Sequence, residues 1–514
     1  MAEVSRKESS LTTRAAWIMS ARTVAFMLSF ALPLLLVRRL DQNAFGLYKQ
    51  VFLIVGTAVN VLPLGFHMSA FYFLPRETER RGAVVFNILL FHLVVGGAAC
   101  LAFVLRPGLI AWLFPGSGEL VVYAPALGLL LLLWVVSSFL EGVAMANQET
   151  KTATLFIVSM QLARTLLLLL AALAFASVPA LIYAAVIQGA VQTVVLVVYL
   201  SLRFEGFGRG FDLSLMRAQL AYALPLGAAG FLYTMQMDLH NYFVSNRFDA
   251  AAFAIYAIGC FNLPLVHILS DSVGSVMIPR VAELQKRGAR HEIVVLVSRM
   301  MRKLAAAYFA IYAFLIVMGR EFIVVLFREQ YLASWPVFAI NLAMIPLGII
   351  ATAYDPVIRA YPEQRFFLLR VRALLLGALS IALWFWTAQV GLVGVISLVV
   401  ATNFIERVVV ALRCGKVLGA TRREAPLFKD VAKLACAALC AALGTALLRS
   451  LVVEAMPPFF ALAVCGLCFM LIYLAAILLL GILSPDERDR MSRALVYLQR
   501  RRTGDARRAT WSEN

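Results

Sequence analysis

Runs of about twenty apolar residues, closed off by turns and charges, recur along the whole chain, and that length is what a helix needs to cross bilayer hydrocarbon. About fourteen can be marked: 17–37, 46–73, 83–105, 120–145, 153–176, 179–202, 218–245, 252–278, 300–319, 332–358, 366–387, 390–412, 431–449 and 457–482. Inside hydrocarbon a backbone must satisfy its own N–H and C=O groups, so runs of this length dictate helices. Composition agrees: 62% of residues are apolar and 14% charged, which excludes an ordinary soluble domain. The first run leads into Arg38–Arg39 with no small-residue cleavage site, so it reads as a span and not as a cleaved signal.

Little in the chain suggests bond-making chemistry. The seven cysteines are scattered, and the one C-x-x-C (Cys465, Cys468) sits in an apolar run without a second pair, so no metal site is expected. Cys436 and Cys440 read equally as free thiols. The longest gaps, 203–217, 279–299 and 413–430, hold no soluble domain. The outer segments, near 106–119 and 320–331, are too short and too thinly polar to carry the acid or base of a membrane glycosyltransferase, ligase or polymerase. No catalytic residue is assigned.

Charge is the apparent oddity, since Lys and Arg outnumber Asp and Glu by 46 to 28, a formal +18. With the N-terminus placed in the cytoplasm, about 35 of those cations fall in inner loops and the tail, against about seven outside, a strong positive-inside bias. Topology therefore accounts for the excess, and nucleic acid is not needed as a partner. Both termini are expected in the cytoplasm, with the basic tail 484–514 able to lie in the interface.

The chain also repeats itself. Arg39-Leu-Asp41-Gln-Asn-Ala44-Phe45-Gly-Leu-Tyr48 returns as Arg247-Phe-Asp249-Ala-Ala-Ala252-Phe253-Ala-Ile-Tyr256, five identities in ten. Leu74-Pro75-Arg76 and Arg81-Gly82 return as Ile278-Pro279-Arg280 and Arg287-Gly288, and Glu141 through Lys151 echoes Asp355 through Arg365. These landmarks keep one register, roughly 204 to 214 residues apart. Six spans separate equivalent positions, so the halves share an orientation and are related by an axis along the membrane normal. The expected fold is an all-α polytopic membrane protein with about 14 transmembrane helices: two parallel six-helix lobes plus two C-terminal helices. Its divisions are an N-terminal segment 1–16, a first lobe 17–202, a linker 203–217, a second lobe 218–413, spans 13–14 with their preceding loop 414–483, and the tail 484–514.

The segments Arg39…Ala44-Phe45-Gly46-Leu47-Tyr48, Met237-Asp238…Tyr256 and Ile278-Pro279-Arg280-Val-Ala-Glu283 resemble the two lobes of Wzx-type polysaccharide flippases. These belong to the multidrug/oligosaccharidyl-lipid/polysaccharide exporter superfamily, and the resemblance covers roughly 14–480. It implies a MATE-like fold with a central cavity lined mainly by spans 1, 2, 7 and 8. It further implies transport of an undecaprenyl-pyrophosphate-linked oligosaccharide to the outer leaflet of the bacterial inner membrane, for O-antigen, capsule or exopolysaccharide. Membrane lipids, a polysaccharide polymerase and glycosyltransferases of the same pathway would be its partners. The alternatives are a peptidoglycan lipid II flippase, which shares the span number, and an ion-coupled multidrug exporter, which would usually stop at twelve spans. The glycine-rich Asp-Arg motif of major-facilitator transporters is absent from Leu74–Gly82.

Helical stripes give the site candidates. Lys49, Gly56, Asn60, Pro63 and His67 share a face of span 2; Asp238 lies on a polar face of span 7; His267 and Asp271 lie on span 8. Arg22 shares a face of span 1 with Ser29. Packing through small residues accounts for the glycines and serines. An intramembrane charge costs about 2.5–3.5 kcal/mol on insertion scales, so it faces a cavity or a partner. Arg22, Lys49 and Arg164 are therefore candidate pyrophosphate ligands, with Asn60 and His67 beside them. Lys49 alternatively snorkels. Arg164 lines the cavity with Gln161, Gln188 and Gln192, or pairs with Glu141. Glu141 and Asp355 are expected near cytoplasmic helix C-termini, where an acid opposes the dipole and needs a cation, as gate pairs or as caps. Glu406 and Arg407 read as a structural pair with gating as the alternative. No cofactor is expected. Without any G-x-x-x-x-G-K-[ST] for ATP, transport would couple to H⁺ or Na⁺ through Asp238, Asp271 or His67, or to membrane potential.

Overall fold

The computed structural model describes residues 2–208, 210–419 and 422–482, with side chains from Trp17; the tail 484–514 lies outside the described residues. Those residues form helices and no strand. In order they are α1 (Ala2–Leu36), α2 (Gln42–Val61), α3 (Ser69–Phe73), α4 (Arg81–Leu105), α5 (Gly108–Leu113), α6 (Ala124–Ser137), α7 (Leu140–Ala146), α8 (Thr150–Phe175), α9 (Val178–Arg203), α10 (Leu213–Arg247), α11 (Ala250–Gly259), α12 (Pro264–Lys286), α13 (Arg290–Phe327), α14 (Trp335–Asn341), α15 (Met344–Ala360), α16 (Arg365–Leu418), α17 (Lys429–Ala455) and α18 (Pro458–Leu479).

Among the described residues, 11 helices are long and apolar enough to cross a membrane, or 12 if the bent pair α11–α12 is one span, so the expected count of fourteen is not reached by that measure. Three places account for the difference. The helix pair α11–α12 bends by 50° at the Cys260–Leu263 break. In α16, Gly391 adopts φ 65 and ψ −173, so two helices meet there. At about 1.5 Å per residue α16 is far longer than the roughly 30 Å of hydrocarbon one span needs. Finally, α10 carries Gln219, Gln236, Asp238, His240 and Asn241, which make it too polar to qualify by composition.

The chain separates into two compact units: the chain up to Glu283 with Ile323–Cys414, and Leu284–Phe322 with the chain from Gly415 on. In the first, α4 packs on α6, α6 on α9, α9 on α8 and α8 on α1. Their apolar faces bury Val84, Ile88, Phe139, Leu140, Leu196 and Leu200. Asp212 caps α10, accepting from the Leu215 N–H (3.0 Å) and the Ser214 hydroxyl (2.7 Å), while Arg80 donates to it at 3.0 Å. Those donors, led by the backbone N–H, hold its carboxyl below the usual carboxylate range. In the second unit α17 and α18 form a hairpin over Met318 of α13. Arg449 donates to Glu321 at 2.7 Å, and the Tyr473 hydroxyl donates to the Ala306 carbonyl at 2.8 Å.

The repeated decapeptide proves to be a helix start used twice. Asp41 accepts from the Ala44 N–H at 2.7 Å with φ −72 and ψ 175; Asp249 accepts from the Ala252 N–H at 2.7 Å with φ −71 and ψ 171. Behind each cap the same aromatic pair is buried, Phe45 with Tyr48 and Phe253 with Tyr256. Each cap is worth about 1 kcal/mol. Asp41→Ala and Asp249→Ala are expected to lower the unfolding midpoint of the solubilised protein by similar steps that add in the double variant, whereas Asp41→Asn should be near silent.

The two repeated helices also pack on each other. At their crossing Gly46 lies so close to α11 that a Cβ would sit 1.8 Å from the Ala250 carbonyl oxygen. Further along, α10 lies against the end of α2. A Cβ on Gly227 would sit 2.0 Å from the Leu64 oxygen, where the chain turns through Leu64 and Gly65 at φ 46 and 67.

Candidate functional site

Helix α1 presents Arg22, Ala25, Phe26 and Ser29 on one face, as a period of 3.6 requires. Opposite it, α8 presents Ile157, Gln161 and Arg164, α9 presents Gln188 and Gln192, and α2 adds Val59. The wall is completed where α6 breaks at Ser138 and restarts as α7, which brings Trp134, Ser137, Ser138 and Glu141 to the same space. Together they line an open cavity of about 440 Å³.

Arg164 is held by stacking. Its guanidinium lies 4.4 Å from the Trp134 ring centre and 5.5 Å from that of Phe52. The indole is itself fixed, donating from Nε1 to the Ala185 carbonyl at 3.1 Å. It lies so close to α9 that a Cβ on Gly189 would be 2.6 Å from its Cδ1. Arg164 Nε is buried with no hydrogen-bond partner. Among the described residues, neither Arg164 nor Arg22 has a carboxylate within 4.0 Å. Arg164 therefore does not pair with Glu141. Glu141 lies just past the α6–α7 junction, five residues before the end of the span Gly118–Ala146, so it stands in the last two turns of that span, and Arg22 shares its cavity.

The amides face the same space with much of their hydrogen-bonding capacity unused. Gln188 donates to Gln192 at 2.7 Å, Gln192 donates to the Ser137 carbonyl at 3.3 Å, and Gln161 makes only a long 3.4 Å bond to Thr165.

The other candidates lie elsewhere. Lys49 sits 5.5 Å from the Phe45 ring centre one turn back, and Asn60 donates to the Gly56 carbonyl of its own helix at 2.9 Å. His67 faces His92, with ring centres 6.3 Å apart. None of the three lines the cavity, and no lining residue comes from α10 or α12, where the resemblance placed spans 7 and 8. The close seat of Gly227 on Leu64 packs α10 along α2 instead. Asp238 is half-buried in α10, and Asp271 pairs with His267 at 3.4 Å on an exposed face of α12.

Two acids of the second lobe, Asp355 and Glu406, are paired. Asp355 meets Arg359 at 3.2 Å and Arg372 at 3.9 Å, so it has the cationic partner expected of it. Glu406 is 0% exposed and takes Arg372 at 3.0 Å and Arg407 at 3.3 Å, while Gln236 donates to its other oxygen. Sequence reading found Arg407 because it is adjacent to Glu406. Arg372 carries no such signal in the sequence, since its partner lies across the Gly391 break and no periodicity connects the two. Trp134, Ser137 and Ser138 were missed as well, because apolar α6 gives no hint that it breaks there.

With this geometry in view, likeness to known proteins can be stated. Residues 35–336 match the family described as polysaccharide biosynthesis protein. No curated protein matches the sequence. Among solved structures, a lipid II flippase MurJ in an inward closed conformation superposes with TM-score 0.64 at 13% identity, over 88% of this chain and 97% of that one. An inward-facing multidrug resistance MATE family transporter of the MOP superfamily gives 0.60 at 15%, over 77% and 95%. A Vibrio cholerae MATE transporter gives 0.52 at 14%, over 81% and 99%. At such identities the likeness concerns the fold, which is that of the multidrug/oligosaccharidyl-lipid/polysaccharide exporters. The family match spans more than half of the sequence, and the chain belongs to the polysaccharide biosynthesis protein family.

Proposed function

We propose that this protein is a flippase that moves a polyprenyl-pyrophosphate-linked glycan from the inner to the outer leaflet of the bacterial inner membrane. Both termini would be cytoplasmic, and a polymerase and glycosyltransferases would act on either side of the step. The observation that carries this reading is an asymmetry of charge. In the second lobe, Arg359, Arg372 and Arg407 each meet a carboxylate, whereas Arg22 and Arg164 line a cavity and have none within 4.0 Å. Two guanidiniums without an ion pair inside a membrane are costly unless an anion visits them, and Glu141, which shares their cavity, stands more than 4.0 Å from both. Pyrophosphate is such an anion, and the forked donors of Arg match its oxygens. A cationic drug would instead meet like charge, which speaks against the exporter reading.

The test is a flipping assay with the full chain in liposomes and a labelled polyprenyl-pyrophosphoryl oligosaccharide. Each charge-assisted hydrogen bond is worth about 1.5–3 kcal/mol, so Arg22→Ala and Arg164→Ala should each slow flipping about tenfold or more. Normal rates in both variants would sink the reading. Lipid II and a small cationic drug, offered as competitors, separate the peptidoglycan and exporter alternatives by which substrate is moved. Repeating the assay with imposed H⁺, Na⁺ and voltage gradients assigns the coupling, with Asp238, Asp271 and His67 as the ionisable groups to vary.

A further inference from the structure

The anion reading uses Arg22 and Arg164 and leaves the rest of the cavity without a role. That remainder is polar in a particular way. It consists of three amides, Gln161, Gln188 and Gln192, with Glu141 beside them, in a wall otherwise built from apolar helices. Each amide offers two donor hydrogens and two acceptor lone pairs. The bonds these three make here use one hydrogen apiece, toward Thr165, Gln192 and the Ser137 carbonyl. Gln188 is 3% exposed and Gln192 half-buried, and both line the cavity together with Gln161.

Pyrophosphate, which only accepts hydrogen bonds, can use the amide N–H groups but leaves their carbonyl oxygens and the Glu141 carboxylate without a partner. A sugar ring serves both: each hydroxyl donates and accepts, and an acetamido group presents the same pair of functions as the amide it meets. The placement also suits a glycosyl pyrophosphate, in which the first sugar is bonded directly to the phosphate. Gln161 precedes Arg164 by one turn on α8 and so stands on the same face, and Gln188 and Gln192 are likewise one turn apart on α9. A volume of about 440 Å³ falls within the range of about 300–1,000 Å³ typical of small-molecule sites. The carboxylate adds selectivity. Glu141 accepts from hydroxyl or amide N–H groups, and would repel a sugar carrying its own carboxylate.

We propose that Gln161, Gln188 and Gln192, with Glu141, form a subsite for the sugar attached to the pyrophosphate, and that this sugar is uncharged, a hexose or an N-acetylated hexosamine. The assignment rests on the anion reading above for what occupies the neighbouring half of the cavity.

Binding of three defined lipids to the full-length solubilised protein tests it, read by native mass spectrometry. The probes are undecaprenyl pyrophosphate, its N-acetylglucosamine derivative and its glucuronic acid derivative. One or two added hydrogen bonds should make the N-acetylglucosamine lipid bind about tenfold tighter than the bare pyrophosphate. Gln188→Leu with Gln192→Leu should abolish that difference, the sugar-bearing lipid losing more affinity than the bare one. Gln161→Leu, on a different helix, provides the same readout should the α9 pair fail to fold. Glu141→Gln should raise affinity for the glucuronic acid lipid more than for the other two, which carry one negative group fewer. Equal wild-type affinity for the bare and N-acetylglucosamine lipids overturns the subsite, as does an equal weakening of both in the glutamine variants. If the sugar-bearing lipid binds, the bare lipid does not, and Arg22→Ala is silent, the anion reading falls while the subsite stands. If neither lipid binds, both fall.

Discussion

Replacing Gly46 by valine is expected to reduce transport by one to two orders of magnitude while leaving the protein folded. At the α2–α11 crossing even a single methyl would stand 1.8 Å from the Ala250 carbonyl oxygen and 2.5 Å from its carbon. Both are backbone atoms on the first turn of a capped helix, so neither can rotate aside, and the helices must separate. Overpacking of this kind costs about 1–3 kcal/mol. The contact joins the two repeated helices. Flipping by alternating access of the two lobes would require them to meet and part there. A penalty of about 1–3 kcal/mol on the closed arrangement lowers its population by roughly 5- to 150-fold. Gly56→Val is the matched control, since a Cβ there meets nothing within 4 Å on the same helix. A Gly46→Val variant that flips lipid as fast as Gly56→Val would show that this crossing does not open and close during transport.

The crossing illustrates how far the sequence reached. The decapeptide repeat was legible because its chemistry is local: an Asp cap and an aromatic pair one turn behind it recur wherever the same helix start is built. What the repeat could not reveal is that its two copies touch, or that Gly46 faces Ala250 whereas its repeat-equivalent is Ala254. Helix breaks were equally hidden. Nothing in the apolar run of α6 marks the junction at Ser138, where Trp134, Ser137, Ser138 and Glu141 come to line one cavity. Arg22 with Ser29, and Gln161 with Arg164, line one space, in keeping with their spacing. Lys49, Asn60 and His67 share a polar stripe, and their neighbours are Phe45, Gly56 and His92. Periodicity fixes which residues stand together on one helix. It carries no information on which neighbour that face meets.

The other large effect is expected at Glu406. This carboxylate is wholly buried and joins three segments: Arg372 before the Gly391 break, Arg407 after it, and Gln236 of α10. Glu406→Ala would leave two guanidiniums facing each other with only Asp355 in reach, at 3.9 Å from Arg372. Removing one partner of a buried ion pair typically costs about 3–5 kcal/mol, several times the loss of a helix cap. The variant should therefore unfold at a much lower temperature than Asp41→Ala, or fail to accumulate. Glu406→Gln keeps the shape and one acceptor, and should fall between the two. The informative variant is the double replacement Glu406→Leu with Arg407→Leu. It removes one charge of each sign and frees Arg372 to close fully on Asp355, so most of the lost stability should return. Because every member of the cluster is buried or nearly so, it acts as a brace within the second lobe, and transport should return with stability. Were the double variant stable but inactive, the ion pairs would have to break and re-form during the cycle, and Glu406 would belong with the gating groups.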